Sequence, residues 1–166
     1  MKEAAIHNAI LDFSEKCSLF HKDSVFSVSF KDSLYSLVLK QTDERNFHWV
    51  KDRFYEGVVT VSIVAYPNYQ FYFSEETKEK LPSRFAIKDG KMFYWWDDNY
   101  PVTEEMLDVL WKYNLLQEEL LIPEFSTNDS QKSADYYFCK NDLTKYKRVI
   151  TSRGIGLYDP PNLNCN

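Results

Sequence analysis

Four carboxylates, Asp97, Asp98, Glu104 and Glu105, crowd into the stretch MFYWWDDNYPVTEEM, residues 92–106. Beside them stand Phe93, Tyr94, Trp95, Trp96 and Tyr100, with no base among them. Carboxylates at that density could collect a hard cation, because Ca²⁺ and Mg²⁺ take several converging oxygens, or could work as an acid/base pair. The spacing fits no EF-hand loop, however, and a turn leading into a helix N-terminus favours the same acids through the helix dipole. The structural reading is the commoner one, so no metal ligand, catalytic residue or cofactor is assigned.

Other chemistry is weaker still. His21 with Asp23, and His48 with Asp52 or Glu56, have the residue types of a base and its orienting acid, but a chain with 3 His and 25 acids offers such pairs by chance. Cys139, within YYFCKN, has the alternation of a buried strand thiol. No Gly-x-Ser-x-Gly elbow, GxGxxG or GxxxxGK[ST] pattern occurs, and the chain has only 4 glycines with which to build phosphate-cradling loops. Exposed Trp and Tyr beside Asp and Asn would also suit a sugar platform, where pyranose faces stack on rings. The sequence therefore leans away from an enzyme and keeps, as its alternative, an enzyme or glycan-binding module with an aromatic-lined cleft containing Asp97 and Asp98.

Charge is distributed unevenly. Between Met92 and Phe125 stand Asp97, Asp98, Glu104, Glu105, Asp108, Glu118, Glu119 and Glu124 against the single base Lys112, whereas the rest of the chain holds 17 acids and 19 bases. The formal net charge of −5 thus originates in this segment. A solvated acidic helix is the plain reading. The sharper one is an acidic face rimmed by aromatics, since aromatic anchors make interface hot spots and a negative field steers a basic partner. On that reading the partner-binding residues are Tyr94, Trp96, Asp97, Asp98, Tyr100, Glu104, Glu105 and Asp108, and the partner is a basic protein, with a bacterial toxin and its immunity protein as one concrete form. Trp-rich strand surface also allows a homodimer seam.

Several elements must position these residues. Ile6, Ile10, Phe13 and Cys17 recur at helical spacing with Ala9, predicting an amphipathic helix over 2–17, with Asp12 on the polar side and His7 beside the stripe. Phe26, Val28 and Phe30 alternate with serines, and KDS then LYSLVLK predicts a hairpin. FHWVKDRFYEG and the β-branched run VVTVSIVAY follow, broken by Pro67 and Asn68, after which YQFYFS resumes as a strand. Asp89-Gly90 between SRFAIK and KMFYWWD predicts a two-residue type I′ hairpin. Period two then separates Phe93 and Trp95 from Tyr94 and Trp96, so one pair is expected in the core, and the other faces solvent at least in part if the sheet is covered on only one side.

Thr103 reads as an N-cap for a helix over about 104–118, with Met106, Leu107, Leu110, Trp111 and Leu115 as its apolar stripe and Pro123 as its stop. EFSTNDSQKS is the longest polar loop candidate. ADYYFCK and KYKRVITS read as two strands across NDLT, and the tail from about 154 as irregular. The sum is an α+β fold: a single domain over 1–166, with a curved, mainly antiparallel sheet of six to eight strands packed by an N-terminal helix and the second helix.

Composition bounds the rest. A chain of 166 residues with 44% apolar and 27% charged content buries a sizeable core and is not disordered. Its acidity opposes nucleic acid as a partner; KYKRVITSR, residues 145–153, is the nearest basic patch and reads as a solvated strand face. No run approaches the roughly 18 apolar residues of a bilayer span, and MKEAAIHNAILDFSEKC lacks a signal's apolar region, giving a soluble, cytoplasmic expectation with no membrane partner. Cys17, Cys139 and Cys165 fit reduced thiols best, with Cys139–Cys165 as the pair if the chain meets an oxidising compartment.

Overall fold

The computed structural model of the protein describes residues 1–65, 69–119, 132–151 and 163–165, with backbone alone for 34–40 and 49–55. Pro67, Asn68, Pro123, most of EFSTNDSQKS and the first part of the tail lie outside the described residues. The elements are α1 (Lys2–Lys16), β1 (Val25–Lys31), β2 (Leu34–Gln41), β3 (Phe47–Tyr55), β4 (Val58–Ala65), β5 (Phe71–Tyr72), β6 (Arg84–Lys88), β7 (Lys91–Trp95), α2 (Glu104–Lys112), β8 (Leu116–Gln117), β9 (Lys132–Cys139) and β10 (Asp142–Thr151). Six strands form one sheet in the order β10-β9-β4-β1-β7-β6, antiparallel except for the parallel pair β1–β7. The α+β class is thus as expected.

Helix α1 covers one face of the sheet. Its stripe Ala5, Ile6, Ala9, Ile10 and Phe13 packs on Phe26, Val28, Val59, Val61, Ile63, Phe93, Tyr136 and Phe138, all buried. Phe13 meets Phe26 edge-on with centroids 4.9 Å apart, while Phe26 stacks on Phe93 at 5.1 Å. Full burial of each such side chain contributes about 1.5–3 kcal/mol relative to exposure. His7 is exposed.

Asp12 departs from its expected polar position. Its carboxylate is buried and accepts hydrogen bonds from Lys16 Nζ at 2.8 Å, Tyr146 Oη at 2.6 Å and Arg148 Nη1. Burial alone would raise its pKa, but these partners hold it down at about 2. Arg148 therefore does not belong to a solvated basic face, although Lys145 and Lys147 of the same strand are exposed. Nearby, Cys17 Sγ lies 3.7 Å from Tyr136 Oη, and burial pushes the thiol pKa up.

The opposite face of the sheet, at its β6–β7 end, carries a second apolar cluster: Met92 and Tyr94 from β7 pack with Leu81, Met106, Leu107, Leu110, Leu115 and Leu116. Strand β7 is thus covered on both sides. Phe93 and Trp95 are the core pair, and because β7 is covered on both faces Tyr94 is buried too, all three at most 5% exposed. Trp96 is exposed because it follows the last strand residue.

Three local predictions changed in detail. The β1–β2 hairpin does not form: β1 pairs with β4 and β7, and β2 pairs with β3 in a separate sheet. YQFYFS contributes only the two-residue β5, which runs parallel to β8. Helix α2 ends at Lys112, since Asn114 adopts φ 57° and Leu115 N donates to Leu110 O at 2.9 Å while Asn114 N donates to Trp111 O at 3.0 Å, a left-handed C-terminal cap. Trp111 leaves the expected core stripe and is 42% exposed, edge-on to Phe73. The type I′ hairpin stands, with Asp89 at φ 52° and Gly90 at φ 75° between Lys88 and Lys91.

The thiol expectation is overturned: Cys139 and Cys165 form a disulfide, and Asn141 Nδ2 donates to Cys165 O at 2.7 Å, fastening residues 163–165 to the β9–β10 turn. Among the described residues, no helix is long and apolar enough to cross a membrane.

Candidate functional site

Where β7 ends, the chain makes a tight turn at Trp96–Tyr100 before entering α2. Ser83 clamps it from the start of β6: Asp97 N donates to Ser83 Oγ at 2.9 Å, and Ser83 Oγ donates to Asp97 O at 2.9 Å. Asp97 Oδ1 accepts from Asn99 N at 3.1 Å and Asn99 Nδ2 at 3.0 Å, and Tyr100 N donates to Asp97 O at 3.0 Å. Asx side chains stabilise turns in this way. The other oxygen, Oδ2, accepts from Lys2 Nζ at 2.8 Å. The Lys2 bond first, then those from Asn99, lower the Asp97 pKa. Asp97 is 6% exposed and its carboxylate organises the turn and holds α1. It is unsuited to be the proton donor of an acid/base pair.

The aromatic residues on either side of Asp97 and Asp98 are held firmly. Trp96 Nε1 donates to Lys80 O at 3.0 Å, and the indole stands edge-on to Tyr94 at 5.7 Å and Phe71 at 5.9 Å. Tyr100 carries the Arg84 guanidinium 4.1 Å from its ring centroid, and Arg84 also pairs with Glu3 at 3.4 Å. Between them opens a cleft of about 430 Å³ lined by Trp96, Asp97, Asp98, Tyr100, Lys78 and Glu79 among others. A neighbouring cleft of about 310 Å³ shares Tyr100 and adds Arg84, Thr103 and Glu105.

Helix α2 begins beside these clefts because Thr103 Oγ1 accepts from Met106 N at 3.2 Å, the expected N-cap. Glu104 pairs with Lys78 at 2.7 Å. Glu105 and Asp108 are exposed on the same helix, Asp108 beyond both clefts. Of the sequence-expected face, then, Trp96, Asp98, Tyr100, Glu104, Glu105 and Asp108 are exposed, Asp97 is buried within the turn, and Tyr94 is buried beneath Trp96 and presents nothing to a partner.

Sequence reasoning missed Lys78, Glu79, Ser83 and Arg84. Lys78 and Glu79 lie on a 3₁₀ turn (Lys78–Lys80), Ser83 just precedes β6 and Arg84 opens it, and none of these positions carries a period that would single it out. His21 and Asp23 have other partners: His21 Nδ1 lies 3.0 Å from Ser18 O, and Asp23 pairs with Lys132 at 3.3 Å, while the side chain of Asp52, an expected partner of His48, lies outside the described residues. Among the described residues, no three His, Cys, Asp or Glu side chains converge as metal ligands would. No family model, curated protein or solved structure matches this chain.

Proposed function

We propose that this is a non-enzymatic binding protein that docks a basic protein on the face made by Trp96, Asp98, Tyr100, Glu104, Glu105 and Asp108. The observation carrying this reading is the exposure of rigidly held Trp96 and Tyr100 directly beside exposed carboxylates. Preorganised aromatics bind without losing side-chain freedom, and Asp98, Glu105 and Asp108, which form no ion pair among the described residues, favour a cationic surface in both approach and register. An inhibitor or immunity protein for a basic bacterial toxin is one concrete form.

The cleft is concave, which also suits the rival glycan-binding reading. Its acid/base version loses support from Asp97, whose lowered pKa and Lys2 bond keep it ionised. The cytoplasmic location inferred from sequence is opposed by Cys139–Cys165, since disulfides persist in oxidising compartments.

The test is capture by the immobilised protein at low and high salt, with the captured protein identified by mass spectrometry. The expected partner is basic, elutes as salt rises, and is lost when Asp98, Glu105 and Asp108 are changed to Lys. Capture that is indifferent to the three reversals sinks the proposal. Sedimentation of the protein alone decides whether the same face joins two copies.

A further inference from the structure

We infer that the cleft between Trp96 and Tyr100 receives a single cationic side chain, an arginine or lysine of the docked protein; this rests on the acidic-aromatic reading above and assigns its anchor point. Charge in the cleft decides the sign of the occupant. Two of its acids and bases are already cancelled, Asp97 by Lys2 at 2.8 Å and Lys78 by Glu104 at 2.7 Å. Glu79 and Asp98 remain, both exposed and without an ion pair among the described residues. The cleft therefore presents net negative charge to whatever enters.

Its walls fit the same occupant. A cation is attracted to the face of an aromatic ring, most strongly to indole. The Trp96 ring is fixed by its bond to Lys80 O and by edge contacts to Tyr94 and Phe71, so it stands in place before anything binds. Tyr100 carries the Arg84 guanidinium at 4.1 Å from its centroid, a charge met by Glu3 on the side of the neighbouring cleft, so Trp96 is the ring left for an incoming cation. A volume of about 430 Å³ exceeds what one side chain needs and leaves room for the adjoining backbone. A neutral sugar would use the rings but leave Glu79 and Asp98 uncompensated by charge.

The experiment is a ¹H–¹⁵N NMR titration of the full chain with acetyl-Gly-Arg-Gly-amide, acetyl-Gly-Lys-Gly-amide and the neutral acetyl-Gly-citrulline-Gly-amide, with maltose as a sugar probe. The Trp96 indole N–H is assigned by Trp96→Phe, and the other indole signals report that the fold is intact. A saturable shift of the Trp96 indole is expected with a basic peptide, and Glu79→Gln/Asp98→Asn should weaken binding at least about fivefold. Absence of a saturable shift with either basic peptide, an equal affinity for the citrulline peptide, or a response to maltose alone overturns the inference. The two readings separate cleanly. If Glu105→Lys/Asp108→Lys abolishes partner capture while Glu79→Gln/Asp98→Asn and Trp96→Ala do not affect it, the cleft inference falls and the docking face stands. Basic-peptide binding at Trp96, with protein capture indifferent to the three reversals, removes the docking face and leaves the cleft as a cation site.

Discussion

Asp12 on α1 and Arg148 on β10 form an ion pair across 136 residues of chain, with the Asp12 side chain only 7% exposed. Lys16 and Tyr146 complete the carboxylate's shell, so the pair joins the N-terminal helix to the last strand of the sheet. Removing Asp12 takes the common acceptor from Arg148, Lys16 and Tyr146, whereas removing Arg148 leaves the buried carboxylate with Lys16 and Tyr146. Asp12→Leu is expected to cost about 3 kcal/mol, Arg148→Leu less, and Asp12→Leu/Arg148→Leu clearly less than their sum. Urea unfolding of the four proteins checks this, and additive losses would show that the two side chains act independently.

The same carboxylate makes stability depend on acid. Its ordinary pKa is 3.8, and the hydrogen bonds of the folded state outweigh burial to hold it at about 2. A depressed carboxyl stabilises the fold above its unfolded pKa and loses that contribution as pH falls through the folded value. The pKa difference corresponds to about 2 kcal/mol, present at neutral pH and lost between about pH 4 and pH 2. The stability gap between the protein and Asp12→Asn, followed by urea midpoints, should therefore shrink across that window. A gap that is constant down to pH 2 contradicts the assignment.

Local signals were the legible ones. The stripe Ile6, Ile10, Phe13 made α1 readable, Asp89-Gly90 set its hairpin, and Thr103 marked the start of α2, because each depends on residues within a few positions. Asp12 was illegible for the complementary reason: Tyr146 and Arg148, which justify its burial, are 134 and 136 positions away. KDS could turn a hairpin, but β1 found β4 and β7 instead, a competition that no short window contains. The acids of the candidate site were visible as composition. Which of them would face solvent was not, since Asp97 and Asp98 are adjacent and only the first meets Lys2, Ser83 and Asn99.

Labelling separates the three cysteines. Cys17 is buried with its thiol pKa raised, chiefly by burial, and Cys139 is bonded to Cys165. Iodoacetamide should label none in the native protein, one after denaturation, and three after denaturation with reduction. The bond closes a loop with a sequence separation of 26. Chain-entropy reasoning gives about 3 kcal/mol for such a loop, so Cys165→Ser should lower the urea midpoint accordingly. Three labels without reductant would show the thiols reduced.

Asp97 and Asp98 should answer the same mutation differently. Asp97→Lys removes the acceptor of Lys2 and Asn99 and sets two ammonium groups against each other at the junction of α1 and the turn. Asp98→Lys changes an exposed side chain of the cleft rim. Surface substitutions away from such contacts stay within about 0.5 kcal/mol, so Asp98→Lys should leave the melting temperature nearly unchanged while Asp97→Lys lowers it distinctly. Partner binding should respond to Asp98→Lys even though the fold does not. Equal melting temperatures for the two variants would remove Asp97 from the turn's scaffold and return it to the binding face, and the thermal comparison should therefore precede any capture experiment with Asp97 variants.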